Sequence, residues 1–185
     1  MRILFFIPFI LMFLTSLPSW ALTMSELVKR EGVYYKKFSD TPFTGEVEGR
    51  YQGKLKNGKL DGYWVGYHEN GQLSSKGDYK NGLRNGYQVR YWDNGQLQEK
   101  GEYIKGEQNG IIISYYENGQ LWREISYKNG KRDGYSIQYW PDGSLFQKGS
   151  WKDDKREGSH TTFTLEGDVW KDLTGIFKNG VKVSD

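Results

Sequence analysis

Gly86–Asn109, GYQVRYWDNGQLQEKGEYIKGEQN, is one member of a set of near-copies that recur every 24 residues. Gly62–Asn85 reads GYWVGYHENGQLSSKGDYKNGLRN, Gly110–Asp133 reads GIIISYYENGQLWREISYKNGKRD, and Gly134–Glu157 reads GYSIQYWPDGSLFQKGSWKDDKRE. A fifth copy starts at Gly158 and ends irregularly. Self-similarity at a fixed period of this size marks an array in which each unit stacks on its neighbours.

Within a unit, apolar residues alternate with a period of two, as in Tyr63, Val65 and Tyr67, or Tyr135, Ile137 and Tyr139. That is the signature of a strand with one face buried. Glu69-Asn70-Gly71 and its counterparts follow, and then Lys80-Asn81-Gly82, both of them hairpin turns. A three-residue loop with a glycine bulge at the first turn pairs position 67 with 73. On that register, positions 63, 65, 67, 73 and the ring at 79 share one face. Positions 64, 66, 68, 72, 74 and 76, which vary between copies, share the other. The fold expected is all-β: an elongated single-layer antiparallel sheet of tandem hairpins, a twisted ribbon on the order of 50–60 Å long.

Outward from the array, Met1–Ala21 has one basic residue, an apolar run from Ile3 to Leu14, and Ser19 and Ala21 at signal-peptidase spacing. It reads as a secretory signal peptide cleaved after Ala21, so the chain is expected to be exported, periplasmic or secreted. The sequence contains no cysteine, so it carries neither a disulfide nor a lipoprotein anchor. Residues 22–37 form an N-terminal cap segment, in which Thr23–Glu31 reads as a short helix capped by Ser25, and Val33–Phe38 as a strand. Residues 38–185 hold five to six units, with a degenerate first unit at Phe38–Asp61 and a strand across Glu46–Lys56. The final Gly175–Gly180 turn comes two residues out of phase.

Aromatic residues make up 16% of the chain and glycines number 24, while the formal net charge is only +3. This composition suits a thin sheet held by rows of rings and offers no basic stripe for nucleic acid. His68 and His160 are the only imidazoles, without spacing for a metal or a catalytic partner. Acids before glycines, such as Asp61 and Asp133, fit turn chemistry better than a calcium ladder. No catalytic, metal or cofactor site is expected. The aromatic residues of the varied face remain as binding candidates: Tyr116, Trp122, Trp140 and Phe146 as one exposed patch, continued by Trp64, His68 and Trp92. The opposing reading of these rings is cross-strand stabilisation of the sheet.

Tyr67–Leu73, followed by Gly77–Gly82 and Gly86, resembles the bacterial variant of the MORN repeat, found in YwqK-type proteins of an antitoxin family. The resemblance spans about Phe38–Gly180. It implies a single-layer sheet of hairpins used for protein association and supplies no catalytic residues. Asp154 in place of a turn glycine, Ile125 in place of the recurring Gly77, and the late fifth unit depart from the pattern. The function expected is a non-enzymatic exported scaffold that binds a protein partner, with toxin occlusion as one form of it. A cell-wall glycan-binding module is the alternative, membrane-surface attachment is third, and pairing of two ribbons face to face is open to the exposed rings.

Overall fold

The computed structural model describes residues 21–185, so the leader reading lies outside the described residues except for Ala21. Ahead of the regular array come β1 (Leu22–Thr23), β2 (Leu27–Arg30), β3 (Val33–Lys36), β4 (Gly45–Glu48), β5 (Tyr51–Lys56) and β6 (Lys59–Leu60). The array itself is β7 (Gly62–Tyr67), β8 (Leu73–Lys80), β9 (Leu83–Tyr91), β10 (Leu97–Ile104), β11 (Glu107–Tyr115), β12 (Leu121–Lys128), β13 (Lys131–Tyr139), β14 (Leu145–Lys152) and β15 (Lys155–Thr162). It closes with β16 (Gly175–Lys178) and β17 (Val181–Ser184). From β7 to β17 each strand pairs antiparallel with its successor, within one fifteen-stranded sheet that also takes in β1, β4, β5 and β6. The expected all-β ribbon of tandem hairpins is the architecture observed.

Two turn chemistries build each unit. At the first, Gly71 N–H donates to the His68 carbonyl and His68 N–H to that of Gln72, closing the three-residue loop with its glycine bulge. Tyr67 then faces Leu73, as expected. At the second, Asn81 and Gly82 both have positive φ (53° and 83°), the two-residue turn whose twist matches the flanking strands. Asp154 occupies the glycine position of the fourth such turn at φ 67°. It is held there by Arg132, whose backbone N–H and Nε both donate to Asp154 Oδ1 (3.0 and 3.1 Å).

The expected division of faces holds only as far as the first turn. Immediately after Leu73 the register shifts, and Gly66 pairs with Ser75 rather than Ser74. This second bulge flips the remainder of β8. Tyr79 and its equivalents therefore join positions 64, 66, 75 and 77 on what we term the inner face. Lys76 joins 63, 65, 67 and 73 on the outer face.

The inner face solves the burial problem of a sheet that has no second layer. Trp64, Gln88, Ile112, Ser136 and His160, equivalent positions 24 residues apart, are all less than 10% exposed. Each large member lies flat across a glycine on the preceding strand. A Cβ on Gly53 would stand 2.6 Å from the Trp64 ring, and Cβ atoms on Gly77, Gly101 and Gly149 would collide with Gln88, Ile112 and His160. Where the glycine is absent, the pattern inverts: Ile125 stands in its place and its partner on β13 is the small Ser136.

At the N-terminal end a compact core does form. Leu27, Phe43, Val47, Leu55 and Trp64 are buried together, with Met24, Tyr34, Leu60 and Tyr79 packed against them. Here the chain departs from expectation in two places. The expected Thr23–Glu31 helix is a single 3₁₀ turn, Met24–Glu26, capped reciprocally by Thr23 and Glu26 rather than by Ser25, and Leu27–Arg30 is strand. Leu27 is drawn into the core, and tertiary burial overrides the local helical pattern. The expected Glu46–Lys56 strand breaks at Gly49, where φ is 87°.

The glycine interlock predicts that Gly101→Ile destabilises the fold by about 1–3 kcal/mol through overpacking against Ile112. Adding Ile112→Ser, which copies the Ile125–Ser136 pair, should recover much of that loss in urea unfolding. Equal midpoints for the single and double variants would refute the interlock.

Candidate functional site

The expected aromatic patch is largely built into the ribbon edge formed by the first turns. His68 Nε2 lies 2.9 Å from the Tyr91 carbonyl, Trp92 Nε1 donates to that of Tyr115 (3.2 Å) and Tyr116 OH to that of Tyr139 (2.8 Å). Each of these side chains spans 23 residues to the next hairpin tip. Because a carbonyl can only accept, His68 carries its proton on Nε2 at this contact. Beside this row runs a second one: the Asn70, Asn94 and Asn118 amides donate to the carbonyls of Asp93, Glu117 and Pro141 (2.7, 2.9 and 3.0 Å).

Both rows stop at the fourth tip. Trp140 Nε1 is buried without a partner. Asp142 has no amide to donate and keeps only the bond within its own tip, accepting from the Ser144 backbone N–H (2.9 Å) as Asn70 accepts from that of Gln72 (3.0 Å). Phe146 packs on the Trp140 ring at 4.5 Å. Trp122 leans on Tyr116 at 5.8 Å, with the Arg123 guanidinium 4.2 Å from its own ring. Trp64 lies in the N-terminal core. Of the seven candidates, only Trp122, at 37%, is among the exposed large apolar residues. The bulge after Leu73 and the reach of each polar tip to the next unit explain the difference from the expected exposed patch.

The row that does stand open is Tyr63, Tyr87, Ile111 and Tyr135 on the outer face, each 52–57% exposed. Half-buried Val65, Val89, Ile113 and Ile137 lie two residues along the same strands. The period-two alternation had marked these positions as apolar, but as a buried face. Lys76 and Lys100 extend over the Tyr91 and Tyr115 rings (5.9 and 6.0 Å) and border the row with charge.

The inner face holds polar chemistry of a structural kind. Glu99 accepts from Tyr103 OH (3.2 Å) and approaches Arg123 at 3.9 Å. His160 is wedged edge-on between Trp151 and Phe177 (5.4 and 5.3 Å), with Nε2 against the Ser150 carbonyl and Nδ1 buried without a partner. Burial pushes the His160 pKa below the usual imidazole value, and nearby Arg156 adds to this, while the Ser150 carbonyl opposes it. Among the described residues, no three His, Asp or Glu side chains gather as a metal-holding group.

Comparison with protein families matches the "MORN repeat variant" model at residues 60–81, 84–105 and 108–129, and the "MORN repeat" model at 51–63, 126–145 and 148–159. No curated protein matches the chain.

Two outcomes test this geometry. Trp92→Phe, which removes one donor and keeps a ring, should lower stability by about 1 kcal/mol. Trp140→Phe loses no bond and should cost less, so a larger drop in thermal midpoint for Trp140→Phe would contradict the donor row. For His160, the unfolded chain takes up a proton near pH 6.5 while the folded chain resists it to lower pH. Stability therefore falls as pH drops below about 6.5, and His160→Gln, which copies Gln88, should flatten that slope in denaturant titrations at pH 5–8. An unchanged slope would remove His160 as the cause.

Proposed function

The chain belongs to the MORN-repeat proteins, and on that premise we propose that it is a non-enzymatic, exported scaffold that binds a protein partner along its outer face. The observation that carries this reading is the row of four large apolar residues at 24-residue spacing, each more than half exposed, on a sheet face that no element among the described residues covers. Asp78, Glu102, Ser126 and Ser150 stand in register beside the four, so the row presents spaced apolar anchors set among polar residues, and exposed apolar surface rimmed by polar residues suits an interaction site. Rings anchored in well-packed surroundings supply most of the binding energy at protein interfaces. The apolar leader before Leu22 supports export. Occluding the active surface of a toxin, in the manner of a YwqK-type antitoxin, needs only such a complementary surface and no chemistry of its own.

The test is capture from envelope extract by the immobilised protein and by a Tyr87→Thr, Tyr135→Thr variant, in which a β-branched residue keeps the strand propensity of each position. A polypeptide retained by the natural protein and lost in the folded variant is the expected result. Retention of the same material by both would place binding elsewhere. Saturable retention of purified peptidoglycan, competed by free sugar, would replace the protein reading with the glycan one.

A further inference from the structure

Where the N-terminal core meets the first regular hairpin, the inner face opens into a cavity of about 400 Å³. Its walls include Tyr34, Tyr51, Trp64 and Tyr79, and its floor is the nearly bare backbone of Gly66, Ser75 and Gly77. The size falls within the range of small-molecule sites. Arg84 and Arg90 of β9 line it, and no acidic residue does. Lys76 also borders it, but its ammonium lies over the Tyr91 ring on the outer face. The Arg84 guanidinium lies over the Tyr103 ring of the next unit (5.1 Å), so the cavity is aromatic in body with Arg90 as its remaining cation.

The repeat shows why space is left here. The positions equivalent to Ser75 in later units hold Glu99, Arg123 and Gln147, each long enough to fill the same site. Glu99 places its carboxylate among Tyr103 OH (3.2 Å), Ser114 Oγ (3.4 Å) and Arg123 (3.9 Å). Ser75 is too short to do this, yet it sits in register opposite Arg90. The other in-register neighbour of Arg90 is Glu99, whose partners are those just named. One unit thus lacks a carboxylate that the next unit contains, and Arg90 is among the residues that line the gap.

We propose that this cavity binds a small carboxylate carried on a ring. A guanidinium presents a planar fork that matches a carboxylate. A phosphate would call for several donors converging on one point, and the floor offers only the Ser75 hydroxyl, because the backbone of Gly66, Ser75 and Gly77 is paired on both sides within the sheet. The aromatic walls present faces and edges on which a flat or saccharide ring packs. The site lies on the face opposite the tyrosine row and does not depend on the protein-binding reading.

The experiment is a ¹H–¹⁵N titration of the purified protein with 2-naphthoate and with glucuronate, against neutral 2-naphthylmethanol and glucose. At least one acid should shift the Gly66 and Gly77 amides saturably and bind about tenfold tighter than its neutral counterpart, as loss of a charge-assisted pair implies. Which acid does so separates an aryl ligand from a sugar acid. Ser75→Glu, which supplies the missing carboxylate from within, should abolish that binding while leaving distant amides unmoved. Arg90→Gln should reduce the acid to the level of its neutral counterpart. Absence of shifts at these amides with both acids, equal binding of acid and neutral compound, or binding that survives Ser75→Glu in a folded protein would overturn the proposal.

Discussion

A sheet one layer thick must bury apolar surface against itself, and in this chain the constraint is met by placing a large side chain over a missing Cβ. Trp64 over Gly53, Gln88 over Gly77, Ile112 over Gly101 and His160 over Gly149 are four instances of one contact. Full burial of an aliphatic or aromatic side chain is worth about 1.5–3 kcal/mol, a gain otherwise reserved for residues sandwiched between two layers. The glycine is costly in a strand, because it has more backbone freedom to lose and no side chain to pack. It persists here because any Cβ would evict its neighbour. The exchange of sizes at Ile125 and Ser136 follows from the same geometry: the volume across each pair of strands is filled once, from whichever side. Ser136 then has room to accept a hydrogen bond from Trp151 Nε1 at 2.7 Å.

Along the array, hydrogen bonds at both ribbon edges tie each unit to the next. At the second turns, Gly106 N–H donates to the Arg84 carbonyl, Gly130 N–H to that of Gln108, and Asp154 N–H to that of Arg132. At the first turns the link is made by side chains, the His, Trp and Tyr donors and the asparagine amides. Each unit therefore depends on its neighbours and on little else, which is the energetic form of a one-dimensional array. Such an array needs closed ends. The N-terminal end is closed by a true core around Leu27, Phe43 and Leu55, and the C-terminal end by Phe177 laid against His160.

The period, both turns and the 67–73 pairing were legible because each depends on residues with conspicuous backbone preferences, asparagine and glycine above all. The bulge after Leu73 was not legible. The bulged positions hold Ser74, Gln98, Trp122 and Phe146, which share no turn-forming chemistry from unit to unit, so nothing local announces the flip that moves Tyr79 to the inner face. That one silent residue per unit made the varied face look exposed and the regular face look buried. The edge donors could have been read from a different signal. His68, Trp92, Tyr116 and Trp140 share no size or charge, but all carry an N–H or O–H at the far end of a ring. The N-terminal cap was legible as a break in the repeat, not as a core, because Leu27 and Phe43 carry no periodicity.

The two faces use their sequence freedom in opposite ways, and this bears on where recognition can reside. On the outer face, Tyr63, Tyr87, Ile111 and Tyr135 stay large and apolar although the sheet does not need them buried. Regularity without a packing reason is what a surface shaped for a partner would retain. On the inner face the residues differ from unit to unit, yet the differences compensate: Ile125 with Ser136, Glu99 with Arg123, Gln147 with Thr162. Variation that balances in pairs reports fit, not binding. The exception is the first hairpin, where Ser75 is short, Arg90 remains opposite it, and the volume stays open. Among the described inner-face residues, the cavity beside Arg90 lacks the side-chain carboxylate that Glu99 supplies one unit further on.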